Sequence, residues 1–225
     1  MNGLEMRQGR KAAAWTQVKL AQMLGVSQGY VSLMESNGRT VPRHLALKLV
    51  ELLKLSANQL PVSSQNAPLP PDRAARSLSA LGYPGFAHVG KTQNLNPAEL
   101  LVRILDCRNV EARLVEALPW VLVQFPDLDW QWLLPQAKQR DLQNRLGFVV
   151  TVARQLAERR TDHVTANTLR HWEHVLEDSR LQKEDAFSGE ALTEVERKWL
   201  KTNRSAEAAH WNLLSNVSAD TLSHV

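Results

Sequence analysis

A single cysteine, Cys107, excludes any internal disulfide. Its surroundings, Val102-Arg103-Ile104-Leu105-Asp106-Cys107, have the composition of a helix, which predicts a buried and inert thiol there. No run of about eighteen apolar residues occurs, which excludes a membrane-spanning helix. No basic leader precedes a short apolar stretch either. The compartment these absences predict is the cytoplasm. Alternation of apolar and polar residues with period two is also missing, and no segment repeats, so sheets and solenoids are not expected. No nucleophile, base and orienting group fall into a recognisable set, and the acidic residues are scattered as on solvated helix faces. The expectation is a protein that is not an enzyme and carries no cofactor and no metal.

What the chain does hold is enough apolar material for two domains: 225 residues, 44% of them hydrophobic. The most informative stretch runs from Gln17 to Ser36. Counting Gln17 as position one, Ala21 falls at five, Gly25 at nine and Val31 at fifteen, with Leu20, Leu24, Val26 and Met34 at four, eight, ten and eighteen. Two short helices that cross steeply leave room only for a small side chain at closest approach, hence Ala21. The turn between them needs positive φ, which Gly25 adopts without steric cost. Ser27 suits the N-cap of the second helix. Such coupled spacing predicts a helix-turn-helix, whose second helix enters the DNA major groove.

Charge is distributed accordingly. Residues 1–60 hold eight Lys/Arg and three Glu, a net of +5, whereas the rest of the chain holds nineteen basic and twenty acidic residues. The positive balance thus belongs to the segment bearing the motif, as phosphate binding requires.

Residues 3–60 resemble the lambda-repressor-like DNA-binding domain of the Cro/CI or XRE type. Trp15-Thr16-Gln17 opens the second helix in that family's manner, and Arg10 and Glu35 stand at the positions of its paired Arg and Glu. Pro42-Arg43 with Leu45, Leu47, Leu49, Val50, Leu52 and Leu53 looks like its fourth helix, and Leu55–Leu60 like its capped fifth. Two residues depart from the pattern. Gly9 replaces a large apolar residue in the first helix, costing about 1 kcal/mol of helix propensity. Leu33 occupies a place where a polar base-reading residue is common, which points to contact with a thymine methyl. The resemblance implies that Gln17 meets a phosphate and braces Gln28. Gln28 and Gly29 open the recognition helix, where Gln28 can bond an adenine bidentately. Tyr30 and Ser32 suit backbone or groove-edge contacts, and Asn37, Gly38, Arg39 and Arg43 suit phosphates. Arg10 and Glu35 are expected to hold the fold rather than touch DNA.

Pro61, Pro68, Pro70 and Pro71 with Ser63, Ser64, Gln65 and Asn66 mark residues 61–76 as an extended linker. Residues 77–225 contain six of the seven tryptophans and read as a second, helical core. Helices are expected after Asn96-Pro97, over 110–125 with a kink or break at Pro119, after Asp129 with Pro135 as a possible interruption, over 142–156 as a long amphipathic helix, and over 165–182, 193–202 and 205–215. The fold class is all-α: a five-helix DNA-binding domain plus a multi-helix domain.

Four further patterns compete for attention. Gly85-Phe86-Ala87-His88-Val89-Gly90-Lys91-Thr92 matches the phosphate-binding loop, but no apolar strand precedes it, and a loop packing Tyr83 and Phe86 is the ordinary reading. His171-Trp172-Glu173-His174 puts two histidines on one helix face, short of the three or four ligands zinc needs. Trp130 and Trp132 lie two apart and cannot share a face, so one belongs to the core. Trp199, Arg204, His210 and Trp211 have the composition of a protein interface, and equally of a helix packing on the domain.

These readings converge on a sequence-specific regulator, a repressor that binds a palindromic operator in double-stranded DNA as a homodimer and autoregulates its operon. Asn96–Leu101, Asp129–Leu134 and Asn144–Phe148 are loosely similar to AbiEi-type antitoxins, which implies a cognate toxin as partner of the helical domain. A small-molecule-responsive repressor and a DNA-tethered interaction adaptor are the alternatives.

Overall fold

A computed structural model describes residues 1–63, 67–90, 92 and 94–222. The protein is all-α: among the described residues there are twelve α-helices, two 3-10 turns and no strand. Two isolated bridges, Asn109 with Ser188 and Asp185 with Leu213, complete the backbone pairing. The chain divides into two compact units, Met1–Ser64 with Gln93–Asn96, and Gln65–Thr92 with Pro97–Val225.

The first unit is built from α1 (Gly3–Ala12), α2 (Gln17–Leu24), α3 (Gln28–Glu35) and α4 (Arg43–Leu53). Side-chain caps from Asn2, Thr16 and Ser27 start the first three, each satisfying a backbone N–H that the helix leaves open. Met6, Leu20, Ala21, Leu24, Val31, Met34, Leu45, Leu49 and Leu53 form the core. Gly3 is required by close approach: a Cβ there would lie 2.2 Å from the Met34 carbonyl oxygen. Gly9, the departure in α1, sits under Leu55, whose Cδ2 would be 2.5 Å from an added Cβ. The fifth helix is reduced to a single 3-10 turn, Ala57–Gln59, because Ser56 caps it and Leu60 already returns to extended backbone. The Asn96 amide closes this end, donating to the carbonyls of Asn58 (3.0 Å) and Leu60 (2.7 Å).

In the second unit, α5 (Pro71–Leu81) begins inside the stretch read as linker. Pro71 occupies the first helical position, where a missing N–H costs nothing, and Ala74 and Leu78 are buried. Ser64, Gln65 and Asn66 of that stretch lie outside the described residues. A turn at Pro84–Phe86 leads on to α6 (Pro97–Leu105). Then follow α7 (Ala112–Gln124), α8 (Trp130–Gln139), α9 (Gln143–Arg159) and α10 (His163–Glu177). The last two are α11 (Glu194–Asn203) and α12 (Ala206–His210). α7 runs through Pro119 and α8 through Pro135. Burial of Leu114, Leu118, Val121 and Leu122 around Pro119 offsets the bond that proline removes. The helix expected over 205–215 stops at His210.

α9 is not amphipathic but central, with residues Gln143–Ala153 all buried. Several of its polar residues are paired inside the fold, whereas the buried Gln143 Oε1 has no hydrogen-bond partner among the described residues. Arg145 binds Asp185 through Nε (2.7 Å) and Nη2 (2.9 Å) and also donates to the carbonyls of Leu105, Cys107 and Ala186. Asn144 exchanges two bonds with the Leu181 backbone. Cys107 lies past the end of α6, half-buried, with Sγ 3.3 Å from the Leu69 and Arg103 carbonyl oxygens; burial pushes its thiol up.

Candidate nucleic-acid interface

The corner between α2 and α3 follows from local chemistry. Gly25 adopts φ 72° at the end of α2, and the Ser27 hydroxyl accepts from the Tyr30 N–H at 3.2 Å to open α3. Ala21 is buried, as the steep crossing requires. α3 turns Val31, Met34 and Glu35 into the core, leaving Gln28, Gly29, Ser32 and Leu33 exposed and Tyr30 half-buried.

A directed chain of side chains runs beneath this helix. Arg10 holds Glu35 with two bonds, Nε–Oε1 at 2.6 Å and Nη2–Oε2 at 3.0 Å, and also donates to the Trp15 carbonyl. Glu35 Oε2 accepts from the Gln17 amide at 2.9 Å, and Gln17 Oε1 accepts from Gln28 Nε2 at 2.7 Å. The polarity is forced. An ionised carboxylate can only accept, so Gln17 must turn its NH2 inward and its oxygen toward Gln28. Gln28 is thereby left with Oε1 and its second N–H to offer, an acceptor and donor pair that matches adenine. Burial raises the Glu35 carboxyl, but the bonds from Arg10 and Gln17 and the Arg10 charge outweigh it, holding the group below the ordinary carboxylate range. The sequence predicts only a fold-holding role for Glu35. The signal that it also orients Gln28 was its seven-residue spacing from that glutamine on one helix face.

The other expected contacts divide. Gly29 faces open space, with no atom within 4 Å of an added Cβ. The Arg39 guanidinium lies over the Tyr30 ring at 5.1 Å from its centroid. Leu33 is 49% exposed. Asn37, at φ 59°, uses its side-chain oxygen to accept from the Gly3 N–H at 2.7 Å, so that oxygen serves the fold. Gly38 packs against Leu33. Arg43 opens α4 and donates to the Pro61 carbonyl at 2.9 Å.

Of the suggested partner residues, Trp211 is corrected outright. It is fully buried, donates to Thr151 Oγ1 at 2.8 Å and lies so close to Gly147 that a Cβ there would be 2.4 Å from the ring. His210 pairs with Glu177 at 2.7 Å, Arg204 ends α11 half-buried, and Trp199 is 54% exposed. Trp130 is the core member of its pair, stacked on Trp172 at 4.9 Å, while Trp132 is half-buried. Glu173 is bound by Arg154 and Thr151, and no group of three metal-ligating side chains occurs among the described residues. The glycine-rich stretch 85–92 follows α5 rather than a strand, and Tyr83 packs on Phe86 and Trp120. Its Lys91 lies outside the described residues. Among the described residues no helix is long and apolar enough to cross a membrane.

Residues 6–60 match the helix-turn-helix family, of the lambda-repressor or XRE type. No curated protein and no solved structure matches the chain.

Proposed function

From a lambda-repressor-like helix-turn-helix domain in the first unit of this DNA-binding transcriptional regulator, we propose that the chain is a sequence-specific repressor that binds a palindromic operator as a homodimer and autoregulates its operon. The observation that carries the reading is the fixed Gln28 side chain at the exposed start of α3, held by Gln17 and Glu35. Its acceptor–donor pair favours adenine, and Leu33 five residues further along favours a thymine methyl. On this reading Gly29 lets backbone come close to the duplex, while Ser32, Arg39 and Arg43 contact phosphates and fix register. One such domain covers too few base pairs to discriminate within a genome, which is why two copies are required. The second unit is the part of the chain available for pairing and for a protein or effector partner. No nucleophile–base arrangement enters this reading, and it assigns no catalytic step.

The test is selection of bound duplexes from a random library, followed by titration of the selected site. Gln28→Ala is expected to weaken the selected site by about 1–3 kcal/mol and to relax preference at one position of each half-site. Equal loss on selected and random duplex would overturn the assignment, and a selection with no symmetric enrichment would overturn the dimer.

A further inference from the structure

We propose that the outer face of α11 pairs with α11 of a second copy of this chain, side by side and in the same direction about a two-fold axis. The inference rests on the homodimeric reading and gives it a place.

α11 has no buried residue. Its inward side is nevertheless settled by contacts. Leu200 lines a cavity of about 180 Å³ with Val110, Val115, Phe187 and Leu214, while Arg197 (3.5 Å) and Lys201 (3.7 Å) reach Glu184. At about 100° per residue, the arc opposite those three side chains consists of Val195, Trp199 and Thr202. Val195 is 77% exposed and Trp199 54%, one turn apart, so the helix turns its two largest apolar outer side chains to solvent.

What covers that stripe follows from its edges. By the same count Asn203 and then Glu196 border it on one side and Lys198 on the other, all exposed. Glu196 Oε2 accepts from the Thr193 N–H (2.8 Å) and hydroxyl (2.7 Å), which leaves Oε1 to face outward. When two copies of a helix lie parallel about a two-fold axis, each one's left border meets the other's right border. Glu196 of one copy then faces Lys198 of the other, twice by symmetry, over a centre of Val195 and Trp199. An antiparallel pair would set each border against itself, Glu196 on Glu196 and Lys198 on Lys198. The face is therefore complementary to itself in one orientation. Three turns of helix bury little area, so the pair is weak alone and is completed when both copies hold one operator.

The test uses the full-length chain in sedimentation equilibrium and in titrations of symmetric and half-site duplexes. Wild type is expected to show a concentration-dependent monomer–dimer equilibrium. Trp199→Glu should weaken it roughly thirty-fold or more, the loss expected for a central tryptophan anchor. Val195→Glu should act in the same direction, and Lys198→Glu less strongly. Both apolar side chains are exposed, so unchanged circular dichroism is expected, and half-site binding should stay within about twofold of wild type. In a Cys107→Ser background, Val195→Cys should give an intermolecular disulfide on mild oxidation, since residue 195 meets its own copy only in the parallel arrangement. A wild-type chain that stays monomeric both free and on the symmetric duplex would overturn the inference. So would variants that dimerise like wild type, which would leave the DNA-binding reading standing. Failure of wild type to bind any duplex would instead sink the reading, with the α11 contact still judged by sedimentation.

Discussion

Glu35 lies two turns from Gln28 and decides, through Gln17, which atoms that glutamine shows to solvent. The decision comes from charge: one obligate acceptor at the buried end propagates a fixed donor direction through Gln17. Glu35→Gln keeps the shape and removes the direction, because the introduced amide can present either an oxygen or an NH2. It also strands Arg10, which is buried, and breaking such a pair costs about 3–5 kcal/mol. The two effects separate in the double variant Arg10→Met/Glu35→Gln. Chemical denaturation should show most of the stability recovered, while binding to duplexes differing at the Gln28 position should show discrimination still reduced. Recovery of both would mean that Glu35 acts on the fold alone. Gly29 gives the opposite signature. Nothing in the fold needs a glycine there, so Gly29→Ala should stabilise the first unit by about 0.5–1 kcal/mol. On the proposed reading the same methyl stands where backbone meets duplex, and operator affinity should fall. A rise in both stability and affinity would remove Gly29 from the interface.

At the scale of elements, legibility tracks how far apart the interacting residues lie. The α2–α3 corner could be read because its constraints are local: a small residue at the crossing, positive φ at Gly25, a hydroxyl cap at Ser27. Caps at Asp129 and Thr193 belong to the same class, each bonding an N–H three residues on. α9 could not be read this way. Its Arg145 and Asn144 resemble a solvated face until Asp185 and Leu181 fold back on them, some forty residues later. Trp211 was misassigned for the same reason, since its environment is Gly147 and Thr151, sixty residues earlier. This contact gives a sharp test of the second unit. Gly147→Ala drives a methyl into the indole, and overpacking of that kind costs about 1–3 kcal/mol, with larger values where rigid rings cannot yield. Thermal unfolding followed by tryptophan fluorescence should show a transition lowered by several degrees. An unchanged midpoint would mean that the ring moves aside freely, and that α12 is not anchored through it.

For the whole molecule, the distribution of charge separates the two units more sharply than composition does. The first sixty residues carry a net of +5, whereas the remainder is close to neutral. If phosphate neutralisation comes from the first unit, only its cations should govern how binding responds to salt. Each phosphate contact releases condensed counterions and contributes about −0.9 to the slope of log affinity against log salt. Arg39 is exposed four residues past the end of α3, so on the proposed reading Arg39→Ala should weaken selected and random duplexes alike and make the slope shallower by about one contact per bound copy. Arg108 is a control in the second unit, exposed and paired on the surface with Glu190 at 2.9 Å. Arg108→Ala removes the same formal charge and should leave the slope as it was. Affinities measured between roughly 50 and 200 mM salt resolve one unit of slope, because that range changes affinity by orders of magnitude for a protein with several phosphate contacts. A shallower slope for Arg108→Ala would place DNA against the second unit and assign that unit a share of the duplex rather than pairing alone.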